Sequence, residues 1–255
     1  MRKLAFLLWL LPSLVLAGER IPYANPMDKL IYHDKDEVLA FASDRFSFFD
    51  IYDPLEPINR IFFRFNVQLD QYVLKPIMNL YEALIPGFMR QGVANFFQNL
   101  KDVPNTLNNL AQLKGEAALN SSGRLLINST LGMLGVFDPA ESMGITYRRS
   151  DIGMTLAHYG VSDGPYLMIP VLGPYNLRDT VGMVLELYVE DWANYLGVSE
   201  KTFSELPWFA AYGINYRYKL QLTYDDFSSP FSYDMIRFLY SKKRELELIA
   251  AEAAD

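Results

Sequence analysis

Residues 153–179 most constrain what this chain can fold into. They are apolar and rich in glycine, proline and tyrosine, yet they carry almost no charge before Arg178. Solvated surface loops usually contain polar residues, whereas helices of a protein core exclude glycine and proline. Irregular backbone in an apolar setting is tolerated where it packs on protein or faces a cavity. We therefore expect this segment to be buried or to line a space inside the protein.

The composition of the 255-residue chain limits the classes of function. Its net charge of −7 argues against nucleic-acid binding, which needs a basic face. The aromatic content of 15% suits a protein core and equally a membrane interface. Because the chain has no cysteine, disulfides, thiol catalysis and cysteine-bound metals are excluded.

Residues 1–17 are predicted to be a cleavable signal peptide. Arg2 and Lys3 precede an apolar run, and Ala17 is the small residue before the cleavage site. The apolar run is well short of the ~20 residues that a membrane-spanning helix needs, which favours cleavage over an uncleaved anchor. No cysteine follows the run, so we expect an exported protein that is not a lipoprotein.

The rest of the chain is predicted to divide into three parts. Residues 18–49 form an N-terminal extension, residues 50–240 form one helical domain, and residues 241–255 form a charged, solvated C-terminal tail. We expect the extension to dock on the domain through its phenylalanines, which are Phe41, Phe46, Phe48 and Phe49.

The first helix of the domain is predicted from Asp53 to Leu69. Asp53 suits the N-cap, Pro54 suits the first helical position, and Glu56 completes a capping box. The apolar arc of this helix is wider than a surface helix of a soluble protein requires. The helix is therefore either buried on two sides in a larger core or exposed to lipid, in which case the membrane-facing candidates are Ile61, Phe62, Phe63 and Phe65.

Further amphipathic segments predict an all-α fold with one domain of short helices. They are Pro76–Leu84, Gly87–Leu100, Pro104–Leu113, Glu116–Leu131, a helix capped by Asp179 and closed by Gly197, Leu206–Leu222, and a last helix from about Ser232. Each is too short or too polar to cross a bilayer. Residues 167–172 could be extended, but no alternating partner strand is found.

No motif in the sequence predicts catalysis. Residues 160–164 match the G-x-S-x-G pattern of hydrolases, in which a strand precedes the serine and a helix follows it. Pro165 opposes that helix, and both histidines, His33 and His158, precede Ser162 instead of following it. We interpret the motif as a glycine-rich turn and His158 as a buried structural histidine. With two histidines and no cysteine, neither a metal site nor a cofactor is expected.

Several blocks of the sequence occur in an order and spacing typical of one family. The blocks are Asp53–Glu56 followed by Asn59, Arg60, Phe65 and Asn66; Arg124–Gly135 with Asp138; Leu156–Asp179; and, more weakly, Ser229–Tyr233. Through them the chain resembles the MlaA family, also called VacJ, of Gram-negative outer-membrane proteins. The resemblance extends from about residue 50 to residue 240. Many relatives carry an acylated cysteine after the signal peptide, which this chain lacks.

The resemblance implies a ring-like, all-α domain lying in the inner leaflet of the outer membrane. Such proteins remove mislocalised phospholipid from the outer leaflet through an amphipathic channel and so maintain lipid asymmetry. They pass the lipid to a periplasmic carrier of the MlaC type, associate with trimeric porins, and are not enzymes.

The resemblance also assigns candidate residues to the channel and its mobile lip. They are Gly132, Met133, Gly135, His158, Tyr159, Gly164, Pro165 and Arg178. Arg178 either forms a structural ion pair or contacts a lipid phosphate, for which its planar donors are suited. Two other functions stay open at this stage, a soluble periplasmic carrier of apolar ligands and a lipolytic enzyme built on Ser162.

Overall fold

The structure, a computed structural model, describes residues 51–193, 206–219 and 231–253. The elements in these ranges are α1 (Glu56–Leu69), a π-helix (Asp70–Leu74), α2 (Lys75–Leu84), α3 (Gly87–Ala111), α4 (Gly115–Thr130), α5 (Pro139–Ser142), α6 (Ile152–His158), β1 (Tyr166–Ile169), β2 (Gly173–Asn176), α7 (Leu177–Ala193), α8 (Leu206–Lys219) and α9 (Ser232–Glu252). The predominantly helical prediction is confirmed. The predicted signal peptide, the N-terminal extension and Gly197 lie outside the described residues.

The start of α1 differs from the predicted capping box. The N-cap is Leu55, and no side chain caps the helix. Asp53 instead accepts a hydrogen bond from the Asn59 amide at 2.7 Å and pairs with Arg237 of α9 at 3.0 Å. The capping prediction was wrong because a distant cation and a nearby amide compete for the Asp53 carboxylate.

A π-helical turn joins α1 to α2 without a break in the chain direction. It ends just before Pro76, which has no N–H to donate to a regular helical ladder. Asp70 of this turn is buried and forms an ion pair with Arg217 of α8 at 2.7 Å. The turn therefore places a carboxylate inside the protein, where it fixes α8 against the first helical segment.

The segment from Gly87 to Ala111 is one long helix, not the two that Pro104 led us to expect. Pro104 lies inside it, and the Asn108 amide bonds the Pro104 carbonyl at 2.9 Å. The facing side of α4 presents Ala117 and Ala118, and Asn109 of α3 donates to the Ala117 carbonyl at 3.1 Å. Small residues and amide side chains, rather than large apolar ones, thus form this helix–helix interface.

The predicted absence of a partner strand was also wrong, because β1 pairs antiparallel with β2. The hairpin packs on α1 and α9 through a core cluster of Tyr166, Met168, Tyr233 and Ile236. Within the described ranges, no third strand pairs with the outer edge of β1. That edge is bonded instead by two asparagine side chains of α1, Asn59 and Asn66.

Helix α9 runs through the predicted boundary at residue 240 to Glu252. Lys242 and Lys243 are exposed, as expected of a solvated tail, but Arg244 is buried. One face of this part of the helix is thus held in the protein by Arg244, while the lysines beside it are exposed. No helix in the described ranges combines the length and the apolarity needed to cross a bilayer.

Candidate functional site

Polar and apolar side chains are distributed in the opposite way to a water-soluble globule. Among the described residues, buried polar and charged side chains outnumber buried hydrophobic ones, and many large hydrophobic side chains are exposed. The first turns of α7 show this most clearly, with exposed residues at Val181, Val184, Leu185, Leu187 and Tyr188. Monomeric soluble proteins rarely expose contiguous apolar surface of this extent. Such a surface is typical of contact with lipid or with another protein.

Backbone conformation is a second, independent indication of contact with lipid or with another protein. Four non-glycine residues in the described ranges have a positive φ: Leu113, Met133, Leu134 and Val171. All four are exposed and apolar, with exposed fractions of 87%, 68%, 71% and 46%. A side chain in this conformation costs roughly 1–2 kcal/mol relative to glycine. In water, glycine or asparagine would adopt a positive φ at a lower free-energy cost. Folding in water therefore does not explain why exposed apolar residues occupy these positions.

The most apolar of these turns spans residues 131–137 and is called the lip turn below. The amide of Gly135 bonds the Asn128 carbonyl at 2.8 Å, and the amide of Phe137 bonds the Gly132 carbonyl at 2.9 Å. A Cβ on Gly132 would collide with the carbonyl oxygens of Asn128 and Phe137, and Gly135 has φ +89°. The glycines therefore close the backbone tightly, while the side chains of Leu131, Met133, Leu134 and Phe137 are exposed and Val136 lies against Gly92 of α3.

A buried arginine supports the lip turn from inside. Arg124 of α4 pairs with Asp138 at 2.6 Å and with Glu141 at 3.1 Å, and Asn128 also donates to Asp138 at 3.0 Å. Burial alone would raise the pKa of Asp138, but the hydrogen bond from Arg124 and those of its other donors lower it. Because Asp138 caps α5 through the Glu141 amide, this network fixes both ends of the lip turn.

Asp102 of α3 is also close to Arg124, but its pKa is shifted in the opposite direction to that of Asp138. It is fully buried, and its carboxylate is 3.5 Å from the Arg124 Nε. Burial raises the pKa of Asp102 to about 6, although the positive charge of Arg124 acts in the opposite direction. The group therefore titrates much closer to neutral pH than Asp138, whose pKa is lowered.

We expect Asp102→Asn to remove a pH dependence of stability. A carboxyl whose pKa is raised on folding contributes stability below its usual pKa and loses that contribution as pH rises through the folded pKa. The wild-type melting temperature should therefore fall between about pH 4 and pH 7, and that of the variant should fall less. Asp138 and Asp151 have lowered pKa values, so their contributions are lost only below that window.

The matched control is Glu245→Gln, which removes a carboxylate that is 55% exposed and paired with Lys242. It should titrate like the wild type when melting temperatures are measured in detergent across this pH range. Parallel curves for Asp102→Asn and the wild type would contradict the prediction.

The second group of lip candidates lies in the loop that follows α6. His158 is exposed, so the prediction of a buried histidine was wrong. Tyr159 is exposed and donates to the Ala111 carbonyl at 2.5 Å, next to the turn that carries Leu113. Gly164 is exposed with φ +68°, and Pro165 is half-buried. This loop is thus tied to the end of α3.

Arg178 does not lie at an opening. It is buried, and its guanidinium bonds Asp163, Asp179 and the Val161 carbonyl. We correct its assignment to the lip, since carboxylates already occupy its donors and the ion-pair interpretation describes its contacts. Ser162 lies in the exposed loop between α6 and β1, so the strand-to-helix elbow of a hydrolase is not formed there.

The four membrane-facing candidates of α1 differ in their exposure. Ile61 is exposed, whereas Phe62 and Phe63 are half-buried and pack on the core cluster. Phe65 is buried and is therefore not one of the membrane-facing side chains. The apolar arc of α1 is wide because it contacts the hairpin and α9.

A polar cluster that sequence reasoning missed lies between α3, the segment before α6, and α8. We call it the lysine–tyrosine cluster; it contains Lys101, Tyr147, Arg149, Tyr212, Tyr216 and Lys219. The Lys101 Nζ lies 5.3 Å from the centre of the Tyr212 ring, and Arg149 pairs with Asp151 at 3.0 Å. Burial raises the pKa of Tyr216 even though its side chain is 42% exposed. Tyr216 is thus partly surrounded by protein and still accessible to solvent.

The described residues contain no group of three or more histidine and carboxylate side chains that could hold a metal ion. The polar interior is instead made of paired charges and amides. Its main links are Arg124 with Asp138, Arg217 with Asp70, Arg237 with Asp53, and Arg244 with Asp151 and Asp179.

Comparison with known proteins identifies the family. The family model described as MlaA lipoprotein matches residues 51–247, which is most of the chain and all of the site described above. The chain belongs to the MlaA family. A protein of Rickettsia bellii is 38% identical over 179 residues, covering 70% of this chain and 68% of the relative. The resemblance inferred from the sequence blocks is thus confirmed.

Two MlaA relatives have names that state a process. Proteins of Escherichia coli and Haemophilus influenzae, each named intermembrane phospholipid transport system lipoprotein MlaA, are 34% and 30% identical to this chain. The matches cover 51% and 52% of this chain, and 53% and 55% of the relatives. The chain therefore spans about half the length of these curated relatives.

A solved structure has the same fold. It was described in work on the structural basis for maintenance of bacterial outer membrane lipid asymmetry. It matches with a TM-score of 0.64 and 28% sequence identity over 77% of this chain and 98% of that chain. The predicted all-α, ring-like fold class of the MlaA family is confirmed by this likeness.

Proposed function

We propose that this protein is the outer-membrane component of a phospholipid transport system that maintains lipid asymmetry. The names of the Escherichia coli and Haemophilus influenzae relatives and the subject of the similar structure support phospholipid as the cargo. Within this proposal the protein is exported, lies in the inner leaflet of the outer membrane, and removes phospholipid that has entered the outer leaflet. It acts as a transporter and not as an enzyme.

The observation that carries the proposal is the reversed distribution of polarity. Apolar side chains are exposed at four strained backbone positions and along α7, while arginines, carboxylates and asparagines are buried. In lipid, exposed apolar side chains are stabilised and buried backbone and charges must be satisfied internally. Both conditions are met by an embedded protein, whereas a soluble periplasmic carrier would leave this surface in water.

The route for the lipid is an amphipathic channel in this proposal. A phospholipid crossing a leaflet must keep its headgroup hydrated while its acyl chains stay in a hydrocarbon environment. The lysine–tyrosine cluster supplies a polar wall that is open to solvent, and the lip turn supplies an apolar edge. Gly132, Met133 and Gly135 form that edge in the proposal, and the loop with His158, Tyr159, Gly164 and Pro165 forms a second edge.

The partners follow from the same route. A lipid leaving the inner face of the membrane needs an acceptor with an apolar cavity, for which we propose a periplasmic carrier of the MlaC type. We further propose that a trimeric porin covers part of the exposed apolar surface, as the family resemblance implies. Cell fractionation tests the placement, because an embedded protein requires detergent for release whereas a carrier is released by osmotic shock.

The decisive experiment changes the lip turn without changing its fold. Asparagine adopts positive φ more readily than methionine or leucine. The double variant Met133→Asn, Leu134→Asn should therefore be at least as stable in detergent as the wild type. In cells that lack the chromosomal copy, it should fail to lower the amount of phospholipid in the outer leaflet, because a polar lip does not insert among acyl chains.

The matched control is the exchanged variant Met133→Leu, Leu134→Met, which keeps the apolar character of both positions. It should restore outer-leaflet phospholipid to the level of complemented cells. The proposal would be contradicted by an asparagine variant that is present at normal amounts and clears phospholipid fully. It would equally be contradicted by cells without the protein that show no rise in outer-leaflet phospholipid.

A further inference from the structure

Two lysines of the lysine–tyrosine cluster, Lys101 and Lys219, lie within electrostatic range of each other although they come from different helices. The Lys219 Nζ, at the end of α8, donates to the Gln98 side-chain oxygen at 2.6 Å. Gln98 and Lys101 are three residues apart on α3, so their side chains are neighbours on one face of that helix. The bond to Gln98 therefore places Lys219 on the face of α3 that carries Lys101.

These two cations have no neutralising partner in the part of the chain that the structure describes. The ion pairs among described residues assign the nearby carboxylates to arginines: Asp102 and Asp138 to Arg124, and Asp70 to Arg217. No such pair includes Lys101 or Lys219. The pKa of Lys219 is lowered, by burial first and then by the positive charge of Lys101. An anion bound between the lysines would relieve this repulsion.

The surroundings of the lysines suit an oxyanion that carries an apolar group. Tyr212 and Tyr216 are one turn apart on α8. Tyr212 contacts Lys101 through its ring and its hydroxyl, and Tyr216 lies within electrostatic range of Lys101, so both hydroxyls can act as donors near the lysines. The ring of Tyr212 also contacts Phe97, with 5.6 Å between ring centres. Lysine binds phosphate as a mobile point charge, and hydrogen bonds between charged partners are the strong ones.

We propose that Lys101 and Lys219, with the hydroxyls of Tyr212 and Tyr216, bind the phosphate of a phospholipid headgroup. This inference rests on the proposed function and deepens it. All common phospholipids carry the phosphodiester, so a site for this group accepts lipids with different headgroups. It gives the headgroup a binding position on a solvent-exposed wall, while the acyl chains remain beside the aromatic and aliphatic residues.

The test measures binding of a short-chain phosphatidylglycerol to the purified full-length protein in detergent. Lys101→Gln and Lys219→Gln should each weaken its Kd by about tenfold, which corresponds to about 1.4 kcal/mol. Lys101→Arg keeps the charge and should bind nearly as well as the wild type. Lys242→Gln, which changes an exposed lysine of α9, is the matched control and should have no effect.

Two further ligands separate the alternatives. A diacylglycerol with the same acyl chains lacks the phosphate and should bind equally to the wild type and to the double variant Lys101→Gln, Lys219→Gln. Unchanged phosphatidylglycerol binding by the double variant would overturn the headgroup site but leave lipid transport standing. Displacement of the lipid by an equal concentration of inorganic phosphate would overturn it in favour of a free-phosphate site. Failure of the wild type to bind either lipid would contradict the proposed function as well.

Discussion

Replacing Arg244 with methionine is expected to lower the free energy of unfolding by about 3–5 kcal/mol. The guanidinium of Arg244 is buried and lies 2.6 Å from Asp151 and 2.7 Å from Asp179. Without it, two buried carboxylates would face each other with much of their compensating charge removed. A loss of this size corresponds to a fall in melting temperature of about 10 °C for a domain of this length.

We expect a large loss of stability because Asp151 and Asp179, the two partners of Arg244, lie at the starts of two helices. Asp151 caps α6 by accepting from the Met154 amide at 2.8 Å, and Asp179 lies in the first turn of α7. Tyr240 of α9 also donates to Asp179 at 2.7 Å. Arg244 thus fixes the final helix against the starts of two others, and its loss should loosen all three.

Two variants make this prediction specific. Lys243→Met removes the neighbouring exposed cation and should leave the melting temperature nearly unchanged. Adding Asp151→Asn and Asp179→Asn to Arg244→Met should recover part of the lost stability, because two buried carboxylates no longer repel each other. The recovery is only partial, since Arg149 and Arg178 then lose these partners. A melting temperature of Arg244→Met within about 2 °C of the wild type would show that the ion-pair cluster is not stabilising the protein.

The sequence predicted the helices well where the apolar period was regular. The bounds of α2 and α4 and the start of α9 lie close to those expected, because apolar spacing and flanking proline or glycine act locally and can be read from neighbouring residues. The errors arose where a distant residue intervened. Asp53 fits the capping pattern, yet Arg237 and Tyr233 of α9 recruit its carboxylate.

The candidate site was predictable only in part, for a similar reason. The lip turn has a local signature, in which two glycines surround apolar residues, and the sequence identified it. The lysine–tyrosine cluster has none, because Lys101 and Lys219 come together only when α8 packs beside α3. Arg178 was ambiguous because an arginine beside an aspartate can be a structural pair or a binding group. The buried position of its guanidinium favours the structural pair.

The hairpin was missed because β2 has only four residues, includes a glycine and a proline, and so has no alternating apolar pattern. The other edge of β1 is bonded by side chains, and these lead to the second large prediction. The Asn59 amide donates to the Tyr166 carbonyl at 3.0 Å and accepts from the Met168 amide at 2.9 Å. Asn66 makes the same pair of bonds with the Ile169 carbonyl at 3.0 Å and the Val171 amide at 2.7 Å. Two helical turns and three strand residues both span roughly 10 Å, so the asparagines match the edge of β1 as a third strand would.

Asn59→Asp and Asn66→Asp should therefore each destabilise the hairpin by about 3 kcal/mol or more. The substitution keeps the acceptor but replaces the donor with a second oxygen, which faces a backbone carbonyl in a buried position. Amide hydrogen exchange should become faster at Met168 in the first variant and at Val171 in the second. Asn79→Asp on the exposed face of α2 is the matched control. Exchange at the wild-type rate at both amides would show that Asn59 and Asn66 do not stabilise the outer edge of β1.

The consequence for function can be separated from the consequence for folding. Val171 is held at φ +72° with its side chain exposed at the tip of this hairpin, and its amide is bonded by Asn66. Asn66→Asp should therefore release the exposed apolar tip as well as the strand edge, whereas Asn59→Asp, which acts at the opposite end of β1, should spare the tip. If the tip contributes to contact with lipid, Asn66→Asp should raise outer-leaflet phospholipid more than Asn59→Asp at equal loss of stability. Equal amounts of outer-leaflet phospholipid in the two variants would show that the hairpin has a purely structural role.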